Sequence, residues 1–338
     1  MFNFKRKKIY QHHISSNQED DSSEYKDNSH DYIAIDKRLL YLGNKLKFHL
    51  FYTPESTHIS LFLQRETIID VETQTKLKNV EKIYISKDEE EEYNHFLENH
   101  LQNILNDDTF TLHEKTDIIY ASTADLTRSL YSNPEALENV QHSKKIVKPI
   151  LDSIIQNENI ISSYLTIIEY DYYTHTHSLN VSIYALSLGF ELNLDKTTLV
   201  LLGQAALLHD LGKSRINRHI VNKETNLTSY ELEEMKKHPF LGYQIAKKIG
   251  LTNEDILDGI HHHHEKLDGL GYPDQLKNDE ITLFPRIIGV CDIFDALTTK
   301  RTYKNAMSSY DALHLMKHKM FSHLDMHITD TFIKMLHP

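Results

Sequence analysis

The sequence predicts a mainly α protein: an all-α C-terminal domain preceded by a small α+β N-terminal module. Three observations carry that reading. Apolar residues recur at helical spacing almost everywhere from about residue 112 onward. Alternation of apolar and polar residues, the mark of a half-buried strand, is confined to the stretch before it. Hydroxyl residues followed three positions later by Glu, at Ser86/Glu89 and Thr228/Glu231, mark helix starts of the capping-box kind.

In chain order, residues 1–30 are polar and of low complexity, a basic FKRKK patch and then NQEDDSSEYKDNSHD, and are expected to be a disordered tail. Residues 31–106 form the α+β accessory module. Period-2 patterning predicts strands over 46–52 and 59–63, and a third over 82–85. A helix then runs through Tyr93, Phe96, Leu97, Leu101, Ile104 and Leu105. The module has no glycine-rich phosphate loop and no catalytic constellation, so a sensory or docking role is expected. Residues 107–157 are a helical connector in which Pro134 should start a helix and Pro149 should kink or restart one. Val140, Val147 and Ile154 recur every seven residues, which fits either a homodimer seam or plain core packing. Residues 158–338 carry helices near 175–190, 195–210, 229–237, 240–248, 253–264, 284–299, 309–319 and 329–336.

Composition narrows the function classes. The chain has 338 residues, 40% hydrophobic and 25% charged, which suits two folded domains and excludes wholesale disorder. A net charge of −12 disfavours a broad nucleic-acid-binding face. A small anionic substrate remains compatible if its site carries local cations. Cys291 is the single cysteine, which excludes a disulfide framework and a Cys-rich zinc site. The longest apolar stretch, Leu199 to Leu208, is interrupted by Gly203 and Gln204 and falls short of the about 20 residues a bilayer span needs. No apolar run follows the basic start as a secretory signal would require. A soluble cytoplasmic protein is expected.

Among the 23 histidines, position matters more than number. His209-Asp210 ends an apolar helix in LLHDLGK, with Gly212 just after. His177 lies in HTHSLNVS, His238 in MKKHPFLGYQI, and His263-His264-Glu265 closes HHHHE. Asp292 and Asp295, in GVCDIFDALT, share a helix face. Imidazoles from separate helices plus two or three carboxylates suit a pair of borderline divalent metals. A carboxylate such as Asp210 can bridge two cations. Cations about 3.5–4 Å apart would generate a hydroxide nucleophile and stabilise in-line displacement at phosphorus.

HDLGK, HPFLGYQI, HHHEKLDGLGYP and DIFDALTTKRTYK, in that order and spacing, resemble the HD-GYP family of bacterial phosphodiesterases, a branch of the HD phosphohydrolases. The resemblance runs from about Tyr170 to Leu336, roughly half the chain. It implies an all-α HD-type catalytic domain, hydrolysis of cyclic di-GMP, and a bi- or trinuclear centre, often of iron or manganese. By position, it implies His177, His209, Asp210 and Asp292 as ligands of one metal, and Asp210, His238, His263 and His264 as ligands of the second. Members with a third metal carry a glutamate where Tyr173 stands here, so two divalent ions are expected, Fe or Mn ahead of Zn or Ni. Thr302 and Asn217 stand where the family often has proline, away from the ligands. Successive helical residues point about 100° apart, so His261 and His262 are expected to face solvent or to lie behind the ligands.

A substrate with two phosphodiesters needs local cations. The resemblance makes Lys213, Arg301 and Lys304 the phosphate binders, with Arg suited to bidentate contact. Asp268 to Pro273 is a loop by composition, where Tyr272 would border a guanine. The family associates its Gly271-Tyr272-Pro273 segment with GGDEF-type diguanylate-cyclase partners. Glu265 is expected to orient a neighbouring histidine, and Asp295 to support a ligand or move a proton. Asp210, Lys213 and Asp295 are thus the candidate catalytic groups, and linear pGpG, then GMP, the expected products. Two alternatives stay open: a receptor that binds cyclic di-GMP or a diguanylate cyclase without turnover, and an enzyme for another cyclic dinucleotide such as cyclic GMP-AMP.

Overall fold

The computed structural model describes residues 31–54, 59–108, 110–157, 160–170, 176–299 and 306–336. The polar segment 1–30, expected to be disordered, lies outside them.

The N-terminal part is a four-stranded antiparallel sheet backed by helices. Strands β1 (Tyr32–Ile35), β2 (Leu50–Tyr52), β3 (Ser60–Leu63) and β4 (Ile83–Ser86) lie in the order β1-β4-β2-β3. In β4 the alternation works as a strand should: Ile83 and Ile85 are buried and Tyr84 is half-exposed. Helix α1 (Val71–Lys78) starts at Asp70, whose carboxylate accepts the Thr73 N–H at 2.8 Å. Helix α2 (Glu90–Leu105) buries Tyr93, Phe96, Leu97, Leu101 and Ile104. Phe48 meets Tyr93 and Phe96 edge-on, with centroids 5.2 and 5.3 Å apart.

Three expectations change here. β1 is not among the predicted strands, because four residues reading YIAI carry no alternation and their one strand partner is the distant β4. The 46–52 segment buries Leu46, Phe48 and Leu50 as predicted, but only Leu50–Tyr52 pairs as a strand. Leu46 instead donates its N–H to the Thr67 carbonyl in a loop contact. The Ser86/Glu89 capping box does not form. Ser86 Oγ accepts from the Asp88 N–H, while Glu89 accepts from the His49 N–H at 3.0 Å and meets its Nδ1 at 2.7 Å.

The connector, residues 107–157, holds α3 (Leu112–Ser132) and α4 (Asn139–Gln156), and α5 (Ile160–Tyr170) follows it. Pro134 lies in the turn between α3 and α4 rather than at a helix start. Its ring disfavours helical backbone at the residue before it, and Asn133 sits accordingly at φ −130, ψ 72, ending α3. Helix α4 runs through Pro149 unbroken, since its buried face of Ile146, Val147, Ile150, Leu151 and Ile154 outweighs one missing hydrogen bond. Val147 and Ile154 are buried and the half-buried Val140 packs against the same core, so the seven-residue repeat serves core packing within this chain.

The C-terminal part is all helix: α6 (His177–Glu191), α7 (Lys196–Leu208), α8 (Arg218–Val221), α9 (Ser229–Met235), α10 (His238–Lys248), α11 (Glu254–His262), α12 (Leu283–Thr298), α13 (Ser309–Lys319) and α14 (Met326–Leu336). All but the short α8, for which no helix is predicted, follow the predicted spans to within a few residues, and the Thr228/Glu231 capping box is present. Helix α6 is buried on every side from Ser178 to Gly189, which makes it the central helix, with α7 and α12 packed against it. Among the described residues no helix is long and apolar enough to cross a membrane.

Candidate metal centre

The candidate residues sit where helices begin or end. His177 opens α6, His209 closes α7, Asp210 follows it, His238 opens α10, and His263 and His264 follow α11. Asp292 lies mid-way along α12. Two glycines let these ends converge. A Cβ on Gly212 would stand 1.9 Å from the His238 carbonyl oxygen, so only glycine lets the turn after Asp210 lie on α10. A Cβ on Gly271 would stand 2.4 Å from Glu265 Cα, so only glycine lets that loop fold back over the histidines.

Hydrogen bonds fix which nitrogen each imidazole presents. His209, His238 and His263 meet the carbonyls of Ala206, Met235 and Ile260 through Nδ1, at 2.7, 2.8 and 2.8 Å. A carbonyl only accepts, so each Nδ1 carries the proton and each Nε2 offers a lone pair. His177 donates from Nδ1 to Asp295 at 2.6 Å and holds Nε2 3.1 Å from Asp292 Oδ1.

The Nε2 atoms of these rings meet around Asp210. Asp210 Oδ2 lies 3.5 Å from His177 Nε2 and 3.4 Å from His209 Nε2, while Oδ1 lies 3.3 Å from His238 Nε2. Its two oxygens therefore face two histidine groups. One group is His177, His209 and Asp292; the other is His238, His263 and His264, and Asp210 with His209 and His263 joins them. Within each group the ligand atoms lie within 4.8 Å of one another. The His264 Nδ1 lies 3.7 Å from Asp292 Oδ2.

The donor set fits divalent cations. His209 Nε2 and Asp210 Oδ1 are buried and have no hydrogen-bond partner. His238 Nε2 and His263 Nε2 face each other at 3.2 Å, although each is a lone-pair site. Buried acceptors aimed at one another are costly unless a cation joins them. The protonation balance agrees. Burial pushes His238 down to about 3 and His264 down to about 4 despite nearby carboxylates, so both stay neutral and able to bind a cation. Burial works against the charge on Asp210, but Lys213, His209 and His238 outweigh it and hold its carboxyl well below the usual range. Asp292 is likewise held well below its usual value, with His177 outweighing the burial penalty.

The remaining predicted residues divide. Lys213 lies in a 3-10 turn rather than on a continued helix, yet its Nζ reaches Asp210 Oδ2 at 2.5 Å. Tyr272 packs its ring 4.7 Å from His264 and so borders the centre. Asp295 is wholly buried behind His177, where it also accepts from Asn180 Nδ2 at 3.0 Å. That position orients the His177 ring and is closed to solvent. Glu265 does not orient a histidine. Its carboxylate accepts the backbone N–H groups of Asp274, Gln275 and Leu276, which ties down the loop after Pro273. His262 is largely covered, not solvent-facing, and His261 stacks on Tyr243. Arg301 and Lys304, with Tyr173, lie outside the described residues.

Two residues escaped the sequence reading. Asn180 joins Asp295 to Tyr120 of α3, whose hydroxyl donates to Asn180 Oδ1 at 2.8 Å. The available signal was an amide in the otherwise apolar run of α6, a costly group to bury without partners. Tyr120 carried no signal at all, since an aromatic in an amphipathic helix reads as core.

A helical bundle that gathers five histidines and two aspartates from five helices defines the class of HD-type metal-binding phosphohydrolase folds. The chain belongs to the HD domain family, whose model matches residues 155–328, and its HHE–DG–GYP string places it with the HD-GYP branch. It is 32% identical over 193 residues to a cyclic di-GMP phosphodiesterase of Pseudomonas aeruginosa, covering 57% of this chain and 46% of that protein. A 3′3′-cGAMP-specific phosphodiesterase of Vibrio cholerae is 36% identical over 153 residues, 45% of this chain and 33% of that one. The cyclic di-GMP phosphodiesterase response regulator RpfG of Xanthomonas campestris is 40% identical over 126 residues, 36% of this chain and 33% of that one. The chain thus spans less than half the length of these relatives. The solved HDG"Y"P protein Bd1817 of Bdellovibrio bacteriovorus shares the fold, with a TM-score of 0.69 and 22% identity over 91% of this chain and all of that one.

Proposed function

We propose that the chain is a metal-dependent phosphodiesterase that hydrolyses a 3′–5′ linkage of cyclic di-GMP to linear pGpG, and onward to GMP. The observation that carries the reading is Asp210, whose two oxygens face two separate histidine groups. That arrangement suits two divalent cations bridged by one carboxylate. In this assignment His177, His209, Asp210 and Asp292 hold one cation, and Asp210, His238, His263 and His264 hold the other. Iron or manganese suits this mixed nitrogen and oxygen set. When bound, the cations supply an activated water and neutralise charge on the phosphoryl oxygens.

The protein's own groups do the rest. Asp295 holds His177 in one tautomer. Lys213, fixed beside Asp210, offers a point charge to a phosphodiester. Tyr272 borders the centre with an apolar face against which a guanine stacks. Arg301 and Lys304 are assigned to the second phosphate. The exposed Leu270 beside Gly271-Tyr272-Pro273 makes that loop the surface for a GGDEF-type partner. A cytoplasmic protein with one cysteine fits this chemistry.

The relative specific for 3′3′-cGAMP supports a second reading, the same reaction on the mixed dinucleotide. Metal-loaded protein assayed side by side on both substrates decides. Faster release of pGpG supports the first reading and faster cleavage of the mixed dinucleotide the second. Binding of cyclic di-GMP with no linear product from either substrate would overturn both and leave a receptor.

A further inference from the structure

The run of four histidines divides into two pairs with different surroundings. His263 and His264 turn to the centre described above. His261 and His262, at the end of α11, turn to the base of the loop that follows Tyr272-Pro273. There His262 is set up as a ligand is. Its Nδ1 lies 2.5 Å from Asp258 Oδ1, one helical turn earlier, and Thr282 donates its hydroxyl to the other Asp258 oxygen. A carboxylate backed by a second donor fixes the ring and its tautomer, as supporting carboxylates do for metal-bound histidines. His262 Nε2 then points at Asp274 Oδ2, 3.0 Å away. Asp274 is itself held, because its N–H donates to Glu265 at 2.6 Å. His261 lies beside this pair with its ring stacked on Tyr243, 4.9 Å between centroids, and its Nε2 is buried without a hydrogen-bond partner. Ligand atoms of His261, His262 and Asp274 lie within 4.8 Å of one another.

We propose that His261, His262 and Asp274 form a separate site for a borderline divalent cation of the zinc, nickel or cobalt class. Two imidazoles and one carboxylate match the donors such ions take, and three protein ligands leave room for water. The cation ties the loop carrying Tyr272 to the end of α11. Because the Tyr272 ring stacks near His264, that tie also sets the rim of the central site. The inference goes beyond the phosphodiesterase reading and does not depend on it.

Equilibrium dialysis of the full chain against Zn²⁺, followed by elemental analysis, tests it. Native protein should hold one ion per chain more than either His262→Gln or Asp274→Asn, with circular dichroism showing both variants folded. Asp274 lies in a loop, so its variant remains informative if His262→Gln fails to fold. Asp210→Asn should lose central ions yet keep the additional one, which separates the two sites. If Asp210→Asn instead matches the native count while the loop variants still lose one ion, the central reading fails and this one stands. Equal counts in native protein and Asp274→Asn would overturn the proposal and leave His262 as an imidazolium clamped between Asp258 and Asp274.

Discussion

At His177, three interactions decide the chemistry. Burial opposes a charge on its ring, but Asp292 and Asp295 outweigh that penalty, and the imidazole is pushed up to about 10. In chelated protein this group is therefore protonated at neutral pH, and a cation must displace that proton to bind. Metal uptake should release about one proton per chain from this residue, and affinity should rise about tenfold per pH unit below pH 10. Calorimetric titration in two buffers of different ionisation enthalpy measures the release, and no release at pH 7 would contradict the assignment. Asp295→Asn should weaken metal binding by about 10–100-fold, the range for residues that support a ligand histidine. Competition against a chelator reads that loss. A change confined to stability, with metal affinity unchanged, would remove Asp295 from the centre.

At the scale of elements, α3 links the N-terminal sheet to the centre. Arg128 donates to the Ala34 carbonyl of β1 at 2.7 Å, and Tyr93 of α2 donates to Asp125 of α3 at 2.5 Å. From the same helix Tyr120 reaches Asn180, and Tyr131 donates to the Leu207 carbonyl at 2.8 Å and meets Ser178 Oγ at 2.9 Å. Tyr120→Phe should cost about 1–3 kcal/mol by leaving the buried Asn180 oxygen short of a donor. It should also weaken metal binding through Asn180 and Asp295. A thermal melt and the chelator competition together separate the two effects. Unchanged affinity would confine Tyr120 to packing. In the 3-10 turn, Gly212→Ala should lower metal content, because its methyl group would collide with the His238 carbonyl; native metal content in that variant would contradict the close approach. The helical elements were legible because their periodicity is local and repeated over many residues. β1 and the fate of Glu89 were not, since each depends on a partner about 40 or more residues away.

For the whole molecule, the candidate centre draws on α6, α7, α10, α11 and α12, so cations bound there would hold the bundle together. Metal at about 100–1,000 times its dissociation constant should stabilise the fold by about 2.7–4.1 kcal/mol, and chelation should lower the melting temperature accordingly. Scanning calorimetry with and without a chelator measures this, and identical melting curves would contradict it. The residues that gather at the candidate centre could be picked out in the sequence because His209-Asp210, His238, His263-His264 and Asp292 sit in short, ordered motifs. The supports behind them could not. Asn180 and Tyr120 act through contacts that span 115 and 60 residues, and Glu265 turned to backbone amides that no spacing announces.

The most direct test is anomalous diffraction from crystals of manganese- or iron-loaded protein. The account predicts two peaks about 3.5–4 Å apart, each in contact with a different oxygen of Asp210, one beside His177 and His209 and the other beside His238 and His264. A single peak, or two peaks that do not share Asp210, would contradict it.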